Sequence, residues 1–260
     1  MHGTRKAHRD WFIGKRMGLF DNRYATKTFT GNYVAFKGPI SEELGLPYFS
    51  LVSAKDSYYA VYSDMGWKVD DTHTKVSAGD TWGKTAEAIP GPGATTQIYG
   101  IDNVKELNIG TWGGFNFLQL GNFPLLEKFI LGDANSTSVK VIPLIGSNMP
   151  LLKYLDVTNT EGNAEANPPA LFTSLDVSEN INLETIIARK CPYLTTINFA
   201  PGGVIKNVVL PTNYSNLYLE SLPELTNSGI QWEVSAANVQ RLYIDNCPKI
   251  KPIELLNSIM

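Results

Sequence analysis

The chain has 260 residues, 43% of them hydrophobic and 18% charged, with a formal net charge of −3. These values belong to a globular protein with room for one elongated domain or two compact ones. No apolar run approaches the roughly 18 residues of a membrane span, and 2 cysteines are too few for a disulfide scaffold.

Residues 1–37 hold eight Lys/Arg against Asp10 and Asp21, a local charge of +6 that leaves −9 for the remainder. Within them, HRDWFIGKRMGLFDNRYA (8–25) spaces Ile13, Met17, Phe20 and Tyr24 at helical intervals, with Phe12, Arg16 and Leu19 widening the stripe. A basic amphipathic helix is therefore expected over 1–27, its charged residues on the solvated face. Nucleic acid is not expected as a partner, because no dense basic patch with stacking aromatics and no recognisable module follows. The opening MHGTRKAHRDWF has no apolar signal-peptide core. Either export by that route is not expected or residue 1 is not the native start.

From 28 to 97 the texture is β. TFTGNYVAFKG, PYFSLVSAK, SYYAVYSD, KVSAGDTW and TTQIYGI are short β-branched and aromatic runs broken by Gly, Pro, Asp and Ser. They predict a small antiparallel β region against which the helix packs. The segment AIPGPGATT (88–96) reads as the linker that ends it.

An apolar beat of eleven residues then begins. Phe172, Leu175 and Val177 are echoed by Leu183, Ile186 and Ala188, and again by Leu194, Ile197 and Phe199. Asn180, Cys191 and Gly202 follow the triplets in turn. Further units of the form LxxLxLxxC start at Phe115, Val141, Ile205, Tyr214 and Val239. Units close on NFPLL, NMPLL, KCPYL, SLPEL or NCPKI, and proline at that place suits a corner between strands. Such fixed-period self-similarity predicts a solenoid over 98–260, with two eleven-residue halves per coil of about 22 and inward apolar residues alternating along each short strand. TEGNAEANPPA (160–170) is expected to project as a loop.

The chain offers little for chemistry. Gly83-Lys84-Thr85 has the tail of a phosphate-binding loop, but the required first glycine would be at position 78, which is Ala. His2, His8 and His73 are scattered, and DDTHTK (70–75) lacks calcium-loop spacing. Cys191 is read as a buried structural thiol. Cys191 and Cys247 lie 56 residues apart, two and a half coils, which at about 4.8 Å per coil exceeds disulfide reach. Glycosylation acceptors at Asn135 and Asn213 matter only for a eukaryotic secreted chain. An enzyme is not expected; its least implausible lining would be Trp67, Asp80 and Trp82. No cofactor and no metal are expected either.

What remains is surface. Outward strand residues flanking the central apolar one include Tyr154, Asp156, Asp176, Asn198, Tyr218, Arg241 and Tyr243. They are the candidate partner-binding residues, since repeat proteins bind through extended faces of this kind.

The repeats resemble leucine-rich repeats of the cysteine-ladder, internalin-like kind across 104–255, most specifically at 172–210 in the LDVSEN phrase and the half ending in Cys191. The resemblance implies an irregular leucine-rich-repeat solenoid in a mainly β chain. The order of parts, from basic helix to aromatic β region to leucine-rich coils with LDVS phrases, also resembles segments of large virion and tail proteins of crAss-like phages of gut Bacteroidetes. That likeness implies a non-enzymatic virion component which contacts other proteins and is a piece of a longer chain. The alternative is a bacterial surface or secreted leucine-rich-repeat adhesin.

Overall fold

The computed structural model describes residues 33–37, 48–63, 74–85, 95–109, 117–119, 121–132, 146–163, 169–233, 239–252 and 254–255. The helix expected over 1–27, most of the 88–96 linker and the Val141 unit up to position 145 lie outside them. The described residues are mainly β with almost no helix, and they form a β-solenoid of about four turns.

The first six strands are β1 (Tyr33–Lys37), β2 (Tyr48–Ser53), β3 (Ser57–Ser63), β4 (Thr74–Val76), β5 (Thr81–Thr85) and β6 (Thr95–Tyr99). They pair antiparallel, β3 with β4 and β6, β6 with β1, and β2 with β5. Aromatic packing fixes this end of the molecule. The Trp82 ring meets Phe49 edge-on at 5.4 Å and stacks on Tyr59 at 5.7 Å, and the buried Tyr59 hydroxyl bonds Ser53 Oγ at 2.7 Å.

Among the described residues, two ladders join this region to the residues that follow. β7 (Val104–Asn108) pairs antiparallel with β2, and on its other edge it starts a parallel run. β8 (Phe117–Gln119) pairs antiparallel with β1. The repeat unit read at Phe115 therefore stands outside the parallel ladder, and β1 supplies its strand partner. The parallel run continues through β9 (Lys128–Gly132) and β10 (Tyr154–Val157). The expected projection at 160–170 contains a short antiparallel pair, β11 (Gly162–Asn163) with β12 (Ala170–Leu171).

Beyond it the two halves of each coil separate onto two faces. β13 (Ser174–Asp176), β15 (Thr196–Asn198), β17 (Asn216–Glu220) and β19 (Arg241–Asp245) lie on one face. β14 (Thr185–Ile187), β16 (Asn207–Leu210) and β18 (Ile230–Trp232) extend the ladder from β10 on the other. Leu107, Phe129, Leu155, Ile186, Val208 and Ile230 point inward from the long ladder. Leu175, Ile197, Leu217 and Leu219 point inward from the opposite face, and all of these are buried in one core. The strand period of two sends every other residue to solvent.

The corners are β-turns. Leu126 N–H donates to Phe123 O, Leu152 to Met149, Leu194 to Cys191 and Ile250 to Cys247. Pro124, Pro150, Pro192 and Pro248 occupy the second turn position, where a fixed φ is favoured. Asn180 and Leu183 close the same turn without proline. Asparagine amides tie corners to the preceding coil: Asn148 to Gly121 O, Asn180 to Gly146 O and Met149 O, Asn182 to Pro150 O.

Where the long-ladder strands begin, charges alternate along one column: Lys105, Glu127, Lys153, Glu184, Lys206. Lys153 pairs with Glu127 at 3.1 Å and Lys206 with Glu184 at 2.7 Å. Their backbone does the same job, since Glu127 O accepts from Lys153 N and Tyr154 N, and Glu184 O from Lys206 N and Asn207 N. Half-exposed pairs of this sort contribute about 0–1 kcal/mol each, so the column sets coil register more than it adds stability.

Candidate functional site

The candidate residues divide between the faces. Tyr154 and Asp156 lie on β10 in the long ladder, whereas Asp176, Asn198, Tyr218, Arg241 and Tyr243 lie on the opposite face. The cause is the eleven-residue beat itself: successive units alternate sides. On the long ladder, Tyr154 is half-buried with Lys128 Nζ 5.5 Å from its ring centroid, and burial raises its hydroxyl pKa. Asp156 and Asp176 are both committed locally. Each carboxylate accepts from the backbone N–H two residues on, at Thr158 and Ser178, 3.0 Å in each case. These bonds close the strand exits.

The opposite face presents two outward rows. Asp176 stands beside Asn198, and Tyr218 beside Tyr243, with ring centroids 6.2 Å apart and planes tilted by 41°. The two tyrosines are 41% and 48% exposed. Asn216 lies beside Arg241 in the neighbouring row. Between β15 and β17 the regular ladder gives way, and a side chain fills in. The buried Tyr214 hydroxyl accepts from Ile197 N–H at 2.9 Å, supplying an acceptor where strand pairing does not; burial holds its own pKa high. Sequence periodicity read Tyr214 only as another apolar rung.

A shallow groove of about 220 Å³ lies on the outer side of the long ladder where β2 meets β7, lined by Val52, Thr81, Glu106, Asn108, Lys128 and Ile130. Lys128 and Glu106 pair across it at 3.6 Å. Trp82 belongs to the core and not to a cleft. Among the described residues no group of three or more His, Cys, Asp and Glu is placed to hold a metal ion, and no helix is long and apolar enough to cross a membrane. His2, His8, Trp67 and His73 lie outside the described residues.

Both thiols are free and buried. They sit at opposite corners of the coil, Cys191 after a long-ladder strand and Cys247 after β19. The Cys191 thiol donates to Val157 O at 3.1 Å, and burial pushes its pKa up to about 12. Cys247 is also raised by burial. Thiolate is the reactive form, so at pH 8 the native protein should resist alkylation at both positions, while denatured protein should take up two labels by intact mass. Rapid labelling of native Cys191 would contradict the buried geometry.

Comparison of this chain with protein-family models, with curated proteins and with solved structures finds no match.

Proposed function

We propose that the protein is a non-enzymatic structural and interaction module, a component of a phage virion or its tail, which contacts another protein through the face built by β13, β15, β17 and β19. The observation that carries this reading is the exposed Tyr218–Tyr243 pair in line with Asn198 and Asp176. Tyrosines on a rigid strand offer large contact area at low entropic cost, and such residues are enriched where proteins meet. Inward positions are occupied by the core, so recognition falls to this outer surface. The coils are of leucine-rich-repeat type on this reading, supported by the inward alternation and by corner residues such as Asn180 bonded to the coil before. The strand in each second half, on the face of β13 and β15, is where the chain departs from that likeness. The virion assignment rests on the order of parts in the sequence.

Mass spectrometry of purified particles tests it, with Tyr218→Ser/Asn198→Ala protein compared with wild type. Wild-type protein should be found in particles, and the double variant should keep its circular dichroism but lose incorporation. Absence of the wild type from particles removes the virion reading; equal incorporation of both removes the face.

A further inference from the structure

We propose that the protein self-associates as a two-fold dimer in which β19 pairs antiparallel with β19 of a second copy. Among the described strands, β19 has one neighbour, β17. Arg241 N–H donates to Ser215 O at 3.1 Å, and Asp245 O accepts from Ser221 N–H at 3.0 Å. In a parallel ladder the N–H and C=O of one residue face the same side and successive residues alternate. Residues 241, 243 and 245 therefore bond toward β17, and the backbone groups of Leu242 and Ile244 point to the open edge. The side chains of Leu242 and Ile244 face the core but are only partly buried, as are Val239 and Trp232. Among the described residues this rung of the core is thus half covered, beside a row of strand-pairing groups. Such an edge is a template for another strand.

The residues of β19 select which strand. Read antiparallel about Tyr243, Arg-Leu-Tyr-Ile-Asp is complementary to itself. Arg241 falls opposite Asp245 of the partner subunit, and Leu242 opposite Ile244 of the partner subunit. The second pair is the hydrogen-bonded one, as the backbone directions require, and Tyr243 meets its own copy at the two-fold axis. A parallel stack of copies would instead set Arg241 against Arg241 and Asp245 against Asp245. Charge and hydrogen-bond direction therefore agree on one isologous arrangement. It lines up Tyr218 and Tyr243 with the same residues of the second copy, doubling the aromatic row whatever that row binds.

Sedimentation velocity of the full chain across roughly 1–100 μM, where micromolar affinities are resolved, should show a monomer–dimer equilibrium. Arg241→Asp and Asp245→Arg each put like charges opposite one another and should raise Kd by about tenfold or more. An equimolar mixture of the two variants restores opposite charges at both ends and should recover the dimer. Both substitutions are at exposed positions, and circular dichroism checks that the fold is kept. In addition, Tyr243→Cys should cross-link on mild oxidation, since facing Cα atoms of a non-bonded antiparallel pair lie about 4.5 Å apart, within disulfide reach. Tyr218→Cys, one strand further from the axis, should not. A wild-type chain that stays monomeric throughout would overturn the proposal. Single charge variants that associate as well as wild type, or Tyr218→Cys cross-linking as readily as Tyr243→Cys, would do the same.

Discussion

Phe129→Ala is expected to lower the unfolding free energy by about 3–5 kcal/mol, the cost of emptying a fully buried aromatic position. Phe129 is 0% exposed and stands in β9 between Leu107 and Leu155 on the inner side of the long ladder. Against a total stability of about 5–15 kcal/mol, the loss is roughly a fifth or more. Where it is felt matters as much as its size. In a solenoid each coil contacts mainly its neighbours, so amide exchange should accelerate first in β7, β9 and β10, and least in β16 and β18. The adjacent Ile130 faces out from the same strand, half-buried; Ile130→Ala should cost about 1 kcal/mol or less, as partly exposed positions do. Chemical denaturation of the two variants, followed by exchange mass spectrometry, makes the comparison. Equal losses for both, or acceleration spread evenly over all coils, would mean that the core is not built of stacked rungs.

Much of that core was readable in the sequence because a strand's alternation survives in the order of residues. Leu175, Ile186, Ile197 and Val208 follow one another at intervals of eleven and are all 2% exposed or less. The Asn and Cys positions between them fell at corners, as the prolines indicated. Three features were not readable, each for a physical reason. The alternating charge column has spacings of 22, 26, 31 and 22 residues, because two coils are longer than the others while their strands stay paired in line. A search at fixed period cannot see it. The division of Tyr154 and Asp156 from the other candidate residues depends on which half-coil a strand occupies, and a pattern identical in both halves does not carry that information. The role of Tyr214 is a matter of its hydroxyl, whereas the repeat constrains only its bulk. What the sequence hides is long-range hydrogen bonding; what it displays is local alternation.

A second large effect is expected at a residue the repeat pattern passes over. Gly229→Ala should destabilise the protein by about 3 kcal/mol, the upper end of what overpacking costs. Gly229 occupies the column place held one coil earlier by Lys206, immediately before β18, and it is buried. A methyl group there would run into the Lys206 carbonyl oxygen, with the Lys206 carbon at 3.2 Å and Leu225 Cδ1 at 3.3 Å. The obstacle is backbone, which cannot rotate aside. Relief requires β18 to draw away from β16, opening the pairs Val208–Ile230, Val209–Gln231 and Leu210–Trp232. Gly202 makes the useful contrast: its φ is +75° and a methyl group would meet nothing within 4 Å, so Gly202→Ala should cost only the left-handed backbone penalty of about 1–2 kcal/mol. Denaturation midpoints separate the two, and exchange at Ile230–Trp232 locates the damage. The consequence extends to the residues after β19. Asn227 holds Lys251 through paired side-chain and backbone bonds of 2.9 and 2.8 Å, so the turn that Gly229 closes also anchors the chain that follows β19. A Gly229→Ala protein with unchanged stability would show that β16 and β18 do not approach as closely as the ladder requires, and this coil would then need a different support.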